Sequence, residues 1–192
     1  IQHKSLQLSS HFTNNVLTQF AAEILPMSRS LFKDFLKFSE LISYSYKETL
    51  SPNFLSEEVK AIETYIGFQR KRFGSKLQFL LSINIDTDLG KVLSLPKWTL
   101  MTLVENIFKH GNCFISENPC VLSLDLAGSK DDNLLFTFFL KNPPDHNPAL
   151  FSSGFGIDTV NRILKFHFKE KYQLNIEKSK TEFQLKIAIE YE

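Results

Sequence analysis

The chain has 192 residues, of which 43% are hydrophobic and 22% are charged, and its formal net charge is +1 at pH 7. This composition is typical of a soluble globular protein. A charge so close to zero argues against nucleic acid as a partner, because binding to phosphate backbones needs a strongly basic surface. The length predicts one full domain with a small appendage.

Two further features narrow the class of protein. No run reaches the roughly 18 apolar residues of a transmembrane helix, and the chain begins at Ile1 rather than Met, which suggests a fragment whose membrane or sensory part is missing. Cys113 and Cys120 do not form a zinc-binding pattern. We expect them to be buried, reduced thiols rather than a disulfide.

The sequence of residues 3–50 predicts an antiparallel helical hairpin. Apolar residues recur every four positions from Leu6 to Ile24, which is the spacing of one helical face. Pro26 interrupts this pattern, which then resumes until Ser51. Helices joined by so short a turn must run back along each other. Because such a hairpin buries little by itself, we expect two copies to pair as a four-helix bundle.

The rest of the chain alternates between helical and strand patterns. Helices are predicted for Ser56–Phe73, Lys97–Lys109 and the segment after Gly156, and strands for 77–85, 120–127, 134–141, 173–178 and 182–189. Ser56 with Glu57 and Glu58 is typical of a helix cap followed by acids in the first turn, and Pro96 of the first turn of the next helix. We predict an α+β fold in which the hairpin, 1–52, precedes an α/β sandwich, 53–192, with a mixed, largely antiparallel sheet.

The run from Leu103 to Gly111 carries the most specific chemistry. On a helix, Glu105 lies one turn from Lys109, and Asn106 one turn from His110, so four polar groups share one side of an apolar element. An amide and a carboxylate can hold hydrated Mg²⁺ through oxygen, while Lys109 or His110 can neutralise phosphate oxygens. An ordinary surface ion pair between Glu105 and Lys109 explains the same pattern equally well.

This run, with Leu95-Pro96 before it, resembles the N box of LytS-type sensor histidine kinases, members of the GHKL ATPase superfamily, whose pattern is close to P-x-L-x-x-x-L-V-E-N-A-x-K-H-G. Ser10 to Asn15 resembles their phosphoacceptor motif P-H-F-L-F-N, with serine in place of the proline. Gly154 to Ile157 resembles their glycine box, and Leu55 to Gly74 their L-x-x-E-x-x-x-I-x-x-Y-L…R-F segment. The resemblance covers nearly the whole chain.

The resemblance implies a GHKL (Bergerat-type) sandwich that binds ATP with Mg²⁺ and phosphorylates His11. An imidazole offers a lone pair for in-line attack on a γ-phosphate, and Asn15 one turn on can orient the ring. Glu105 is the expected catalytic assistant, and Asn106 the expected Mg²⁺ ligand. The residues expected to contact the nucleotide are Asn106, Lys109, His110, Asn142, Gly154 and Gly156.

The resemblance also implies partners and a location. We expect a homodimer formed through the hairpin and a response regulator of the LytTR type that receives the phosphoryl group. The parent protein is expected to be anchored in the membrane outside this fragment, with the fragment at the cytoplasmic face of the inner membrane.

One family motif is missing. In place of an Asp-x-Gly-x-Gly box the chain reads Lys141-Asn142-Pro143-Pro144-Asp145. Asn142 stands where the aspartate would bind the adenine amino group and can accept the same hydrogen bond without the charge, with Asp145 a weaker candidate. The missing box favours an alternative, a degenerate kinase that acts as a dimerisation or regulator-binding module. A third interpretation, a chaperone-type or mismatch-repair-type GHKL ATPase, gives no role to a hairpin that bears His11.

Overall fold

The computed structural model describes residues 10–46, 52–128, 133–144 and 155–192. These residues belong to two compact units, divided after residue 51. The first unit is helical, and the second is built around a five-stranded sheet. Of the helices in the described part of the chain, none combines the length and apolarity needed to cross a membrane.

The first unit is a hairpin of two helices. They are α1 (Ser10–Ile24) and α2 (Arg29–Tyr46). Ser28 caps the start of the second helix, because its Oγ accepts the backbone N–H of Leu31 at 3.2 Å. Near the other end of the hairpin, Ser43 Oγ donates to Asn14 Oδ1 at 2.9 Å. This contact joins the start of α1 to the end of α2, so the helices are antiparallel, as predicted.

The hairpin leaves most of its apolar surface uncovered within a single chain. Among its described side chains, Ala21 alone is buried. The large apolar residues that remain exposed are Phe12, Phe20, Leu25, Met27, Leu31, Leu36, Phe38 and Tyr46. Eight exposed large apolar side chains on one short hairpin indicate a protein interface.

The second unit contains a mixed sheet, which confirms the predicted fold class. Its strands are β1 (Phe79–Asn84), β2 (Cys120–Ala127), β3 (Leu134–Asn142), β4 (Tyr172–Lys178) and β5 (Phe183–Tyr191). They are arranged in the order β1-β2-β3-β5-β4. The β1–β2 pair is parallel, and the other three pairs are antiparallel.

Helices cover one face of this sheet. They are α3 (Leu55–Phe73), α4 (Thr87–Gly90), α5 (Thr99–His110) and α6 (Phe155–Phe168). The hydrophobic core joins Ile62 of α3, Leu100 of α5 and Leu164 of α6 to inward-facing strand residues such as Phe136 and Ile187, all of them fully buried. α4 is a short helix that was not among the predicted helices.

Two helix starts differ from the prediction. Ser56 does not cap α3, which begins at Leu55, and the N–H of Phe54 donates to Glu57 Oε2 at 3.0 Å. α5 begins at Thr99 rather than Lys97. The residue before Thr99, Trp98, has the left-handed backbone angles φ 64° and ψ 5°, which interrupt any helical turn begun at Pro96.

The two cysteines are free and buried, as predicted. Cys120 begins β2, and its Sγ donates to the Sγ of Cys113 at 2.8 Å. This hydrogen bond, with burial, raises the pKa of the Cys120 thiol. Cys120 therefore stays protonated at neutral pH.

Candidate functional site

A cavity of about 230 Å³ lies at one end of the sheet, against α5 and the start of α6. α5 contributes two polar residues, Asn106 and His110, and two apolar residues, Leu103 and Ile107. Because Asn106 and His110 are four positions apart, they lie one above the other on the helix face that borders the cavity. Two of the nucleotide-binding residues predicted from the sequence thus share one wall.

The sheet supplies two rows of side chains to the same cavity. In one row Asn142 of β3 pairs with Phe183 of β5, which pairs in turn with Lys178 of β4. In the next row Leu140 pairs with Leu185, and all five residues line the cavity. Since adjacent strands lie about 4.8 Å apart, the first row spans roughly 10 Å.

Gly156 brings the start of α6 close to α5. A Cβ at this position would lie 2.9 Å from Asn106 Nδ2 and 3.5 Å from Thr102 Cγ2. Real Cβ atoms essentially never lie as close to another atom as the first of these distances. An alanine at this position would therefore require the Asn106 amide to move.

The orientation of the Asn142 amide follows from its neighbours. Asn142 is 5% exposed, and its Nδ2 donates to the carbonyl of Pro143 at 3.2 Å. The opposite orientation would place two acceptors against each other, so the amide carbonyl is the group that Asn142 can offer to the cavity. The N–H of Asn112 also donates to Pro143 O at 2.8 Å, which fixes the end of α5 to the end of β3.

Glu105 and Lys109 are not among the cavity-lining residues of the described chain. Lys109 Nζ instead lies 3.0 Å from Glu105 Oε2, and the lysine side chain is 60% exposed. Tyr65 of α3 lies near both Glu105 and Lys109. Burial raises the pKa of Tyr65, a hydrogen bond with Gln69 opposes this, and the negative charge of Glu105 raises it further. The surface-pair interpretation thus describes Glu105 and Lys109 in this structure.

Three of the predicted residues cannot be located in full. His11 lies in the first turn of α1, but its side chain is outside the described part of the chain, and so are Gly154 and Asp145. Conversely, Lys178 and Phe183 line the cavity although no motif singled them out. Lys178 Nζ lies 5.6 Å from the centre of the Phe183 ring, so the lysine extends over the aromatic face.

Several known proteins that are similar to this chain are histidine kinases. Residues 1–77 match the family model described as histidine kinase. The chain is 25% identical over 170 residues to the sensor histidine kinase BtsS of Escherichia coli strain K12, an alignment that covers 88% of this chain and 29% of the relative.

Solved structures with low sequence identity are also similar. The histidine kinase domain of the blue-light activated histidine kinase from Erythrobacter litoralis EL346 is 14% identical, with a TM-score of 0.46 over 94% of this chain and 93% of that chain. The Acinetobacter baumannii histidine kinase AdeS is 13% identical, with a TM-score of 0.42 over 93% and 95%. The sequence comparisons show that this chain is similar to histidine kinases, and that it spans less than a third of the length of the sensor histidine kinase it matches.

Proposed function

We propose that this chain is the phosphoacceptor and catalytic portion of a LytS-type sensor histidine kinase. In this proposal it binds ATP with Mg²⁺ and transfers the γ-phosphoryl group to His11, from which a response regulator takes it. One observation carries the proposal: Asn106, His110, Asn142 and Gly156 come from three separate segments and line one cavity. Each was a nucleotide-binding candidate on the sequence alone.

The sheet end of the cavity suits an adenine ring. Ile107, Leu140 and Leu185 offer apolar surface for the flat faces of the base. The Asn142 carbonyl can accept a hydrogen bond from the adenine amino group. Because an amide is a weaker acceptor than a carboxylate, we expect affinity roughly ten- to a hundredfold below that of a site with aspartate.

The helix end of the cavity suits phosphates. Gly156 places the N-terminus of α6 at the cavity, where backbone N–H groups and the helix dipole favour anions. His110, which lines the same cavity, offers a further donor. The Asn106 amide oxygen is a fitting Mg²⁺ ligand, and phosphate oxygens would complete the set, since the described residues contain no cluster of three His, Cys, Asp or Glu side chains. Bound there, Mg²⁺ would neutralise developing charge on the phosphate oxygens.

The transfer itself would use His11 and Glu105. An imidazole nitrogen of His11 forms a bond to the γ-phosphorus as the bond to the bridging oxygen of ADP breaks. The imidazole proton passes to the Glu105 carboxylate. General-base catalysis of this kind typically raises the rate about 10²- to 10⁴-fold. Lys109, paired with Glu105 at 3.0 Å, orients that carboxylate.

The exposed apolar residues of the hairpin support a homodimer. We further propose a response regulator of the LytTR type as the partner, and a membrane-anchored parent protein that holds this portion at the cytoplasmic face of the inner membrane. Both follow from the sequence motifs.

Incubation of the purified chain with γ-labelled ATP and Mg²⁺ tests the proposal. We expect acid-labile label on the wild type, none on His11→Ala, and slower labelling with ATP binding retained for Glu105→Ala. Asn106→Ala should lose binding and labelling together, because it removes the expected metal ligand. Label that persists on His11→Ala would redirect the assignment to His110.

The neutral Asn142 amide favours one alternative, a degenerate kinase that serves as a dimerisation or regulator-binding module. This function predicts no Mg²⁺-dependent heat of binding even at millimolar ATP. It also predicts that His11→Ala changes only the stability of the hairpin, by about 1 kcal/mol.

A further inference from the structure

Glu58 is a carboxylate with 0% exposure in the second unit. It lies on the core-facing side of α3, between Leu55 and Ile62, which are also fully buried. Removing a carboxylate from water is costly unless hydrogen bonds and positive charge compensate it. The hydrogen bonds of Glu58 therefore indicate the structural role of this buried carboxylate.

The start of α5 supplies that compensation. Glu58 Oε1 accepts the backbone N–H of Trp98, and Oε2 accepts those of Leu100 at 3.0 Å and Met101 at 3.1 Å. Leu100 and Met101 are the second and third residues of α5, whose N–H groups have no partner within the helix. The carboxylate also lies at the positive end of the helix dipole. Glu58 thus caps α5 from a different helix.

Trp98 shows that α5 has no local cap of its own. It occupies the N-cap position, and its side chain makes no capping hydrogen bond. Its φ of 64° is unfavourable for a residue with a side chain, yet this conformation presents the N–H of Trp98 to Glu58. Such backbone conformations persist where the surroundings hold them.

The capped turn leads into the part of α5 that lines the candidate nucleotide site, which begins at Leu103. Thr102, one turn into α5, and Asn106, two turns in, both lie close to Gly156, the second residue of α6. Their nearest atoms lie 3.5 Å and 2.9 Å from a Cβ built on that glycine. With so little clearance, a shift of the first turn of α5 would change how Asn106 faces Gly156.

We propose that Glu58 is a positioning residue of this site: its buried carboxylate fixes the first turn of α5 and so holds Asn106 against Gly156. The inference rests on the proposed function of the cavity. Two acceptor oxygens are required, because the N–H groups of Trp98 and Leu100 approach different oxygens. In Glu58→Gln, one of these N–H groups would face an NH₂ group instead.

Calorimetry with Mg²⁺-ATP on the full 192-residue chain tests the effect on binding. We expect Glu58→Gln to weaken affinity about tenfold, as for outer-shell partners of metal ligands. Glu58→Asp keeps both acceptor oxygens on a shorter side chain and should lose less affinity. If Glu58→Gln does not fold, the affinity of Glu58→Asp is measured in its place.

A destabilised control separates positioning from general loss of stability. Leu134 is buried at the end of β3 remote from Asn142, so Leu134→Ala should lower the urea midpoint yet leave affinity within about twofold. The proposal is overturned if both variants lose affinity equally, or if Glu58→Gln loses none.

A second readout needs no nucleotide. In NMR spectra of the ATP-free protein, the Asn106 side-chain amide and the Gly156 backbone amide should shift in Glu58→Gln and stay in place in Leu134→Ala. If the wild type does not bind ATP, the proposed function fails, and these resonances still decide the positioning role. Unmoved resonances in Glu58→Gln would overturn it.

Discussion

Single residues on α5 divide into two pairs with different surroundings. Asn106 and His110 border the cavity, whereas Glu105 and Lys109 bind each other 3.0 Å apart at the surface. Exposed i,i+4 pairs contribute only about 0.3–0.5 kcal/mol to stability. Of the two side chains that the sequence offered for phosphate binding, His110 lines the cavity in the described chain and Lys109 does not.

We therefore expect His110→Ala to weaken ATP binding by about tenfold, since a hydrogen bond to a charged group is lost. Lys109→Ala should change affinity by no more than about twofold. Titration calorimetry of the two variants in parallel provides the comparison. A larger loss for Lys109→Ala than for His110→Ala would show that the lysine turns to the phosphates when nucleotide binds.

Asn142 is the residue on which base recognition depends in our proposal. Asn142→Ala should weaken ATP binding about three- to tenfold, the cost of one neutral hydrogen bond, and should weaken adenosine binding by the same factor. Asn175→Ala, on the exposed side of β4, is the matched control and should leave both affinities unchanged. Equal affinities in Asn142→Ala and wild type would show that Asn142 does not contact the nucleotide.

At the scale of elements, the site depends on how closely α5 and α6 approach. Gly156 permits this approach, because an added Cβ would lie 2.9 Å from Asn106 Nδ2. Gly67 in α3 is not closely packed, since a Cβ there would meet nothing within 4 Å. The two glycines occupy helices of the same unit and differ in what surrounds them.

Replacing each by alanine should separate stability from binding. Gly67→Ala should raise the free energy of unfolding by about 0.5–1 kcal/mol and leave ATP affinity unchanged. Gly156→Ala should gain no more stability than this and lose ATP affinity about tenfold, because Asn106 must move. Urea denaturation and calorimetry measure the two quantities. Unchanged affinity in Gly156→Ala would contradict the close-approach argument.

Element positions could be predicted where the signal is local. β5 follows from the strict alternation of Phe183, Leu185, Ile187 and Ile189, because the side-chain period of a strand is two. Asn106 and His110 could be paired because helical spacing is also local. The role of Lys178 could not be predicted, since it reaches the cavity only through the strand order β3-β5-β4, which depends on long-range pairing.

The same reason explains the incorrect start of α5. Pro96 is a good local signal for a first helical turn, but the actual start at Thr99 is capped by Glu58, 41 positions earlier in the chain. A carboxylate in the first turn of one helix cannot be recognised from sequence as the cap of another. Tertiary contact overrode the local preference.

At the scale of the whole molecule, the exposed apolar surface of the hairpin is the main feature that a single chain does not explain. Phe20 is 50% exposed on α1, so a charged residue there costs an isolated hairpin little. In a paired bundle the same charge would be buried at the interface.

We expect the wild type to be a dimer at micromolar concentration and Phe20→Asp to be a monomer, measured by light scattering coupled to gel filtration. Phe166→Asp is the control: Phe166 is 87% exposed on α6, in the other unit. Both charged variants should remain folded by circular dichroism. A monomeric wild type, or a dimeric Phe20→Asp, would contradict pairing through this surface.

The sulfur contact between Cys113 and Cys120 has a practical consequence for labelling. Alkylating reagents attack the thiolate, and both sulfurs are buried, with the pKa of Cys120 raised by its hydrogen bond to Cys113 and by burial. The native protein should therefore be inert to maleimides. A cysteine introduced at the exposed Gln173 of β4 would react alone, so a fluorophore or spin label can be attached without replacing either native cysteine.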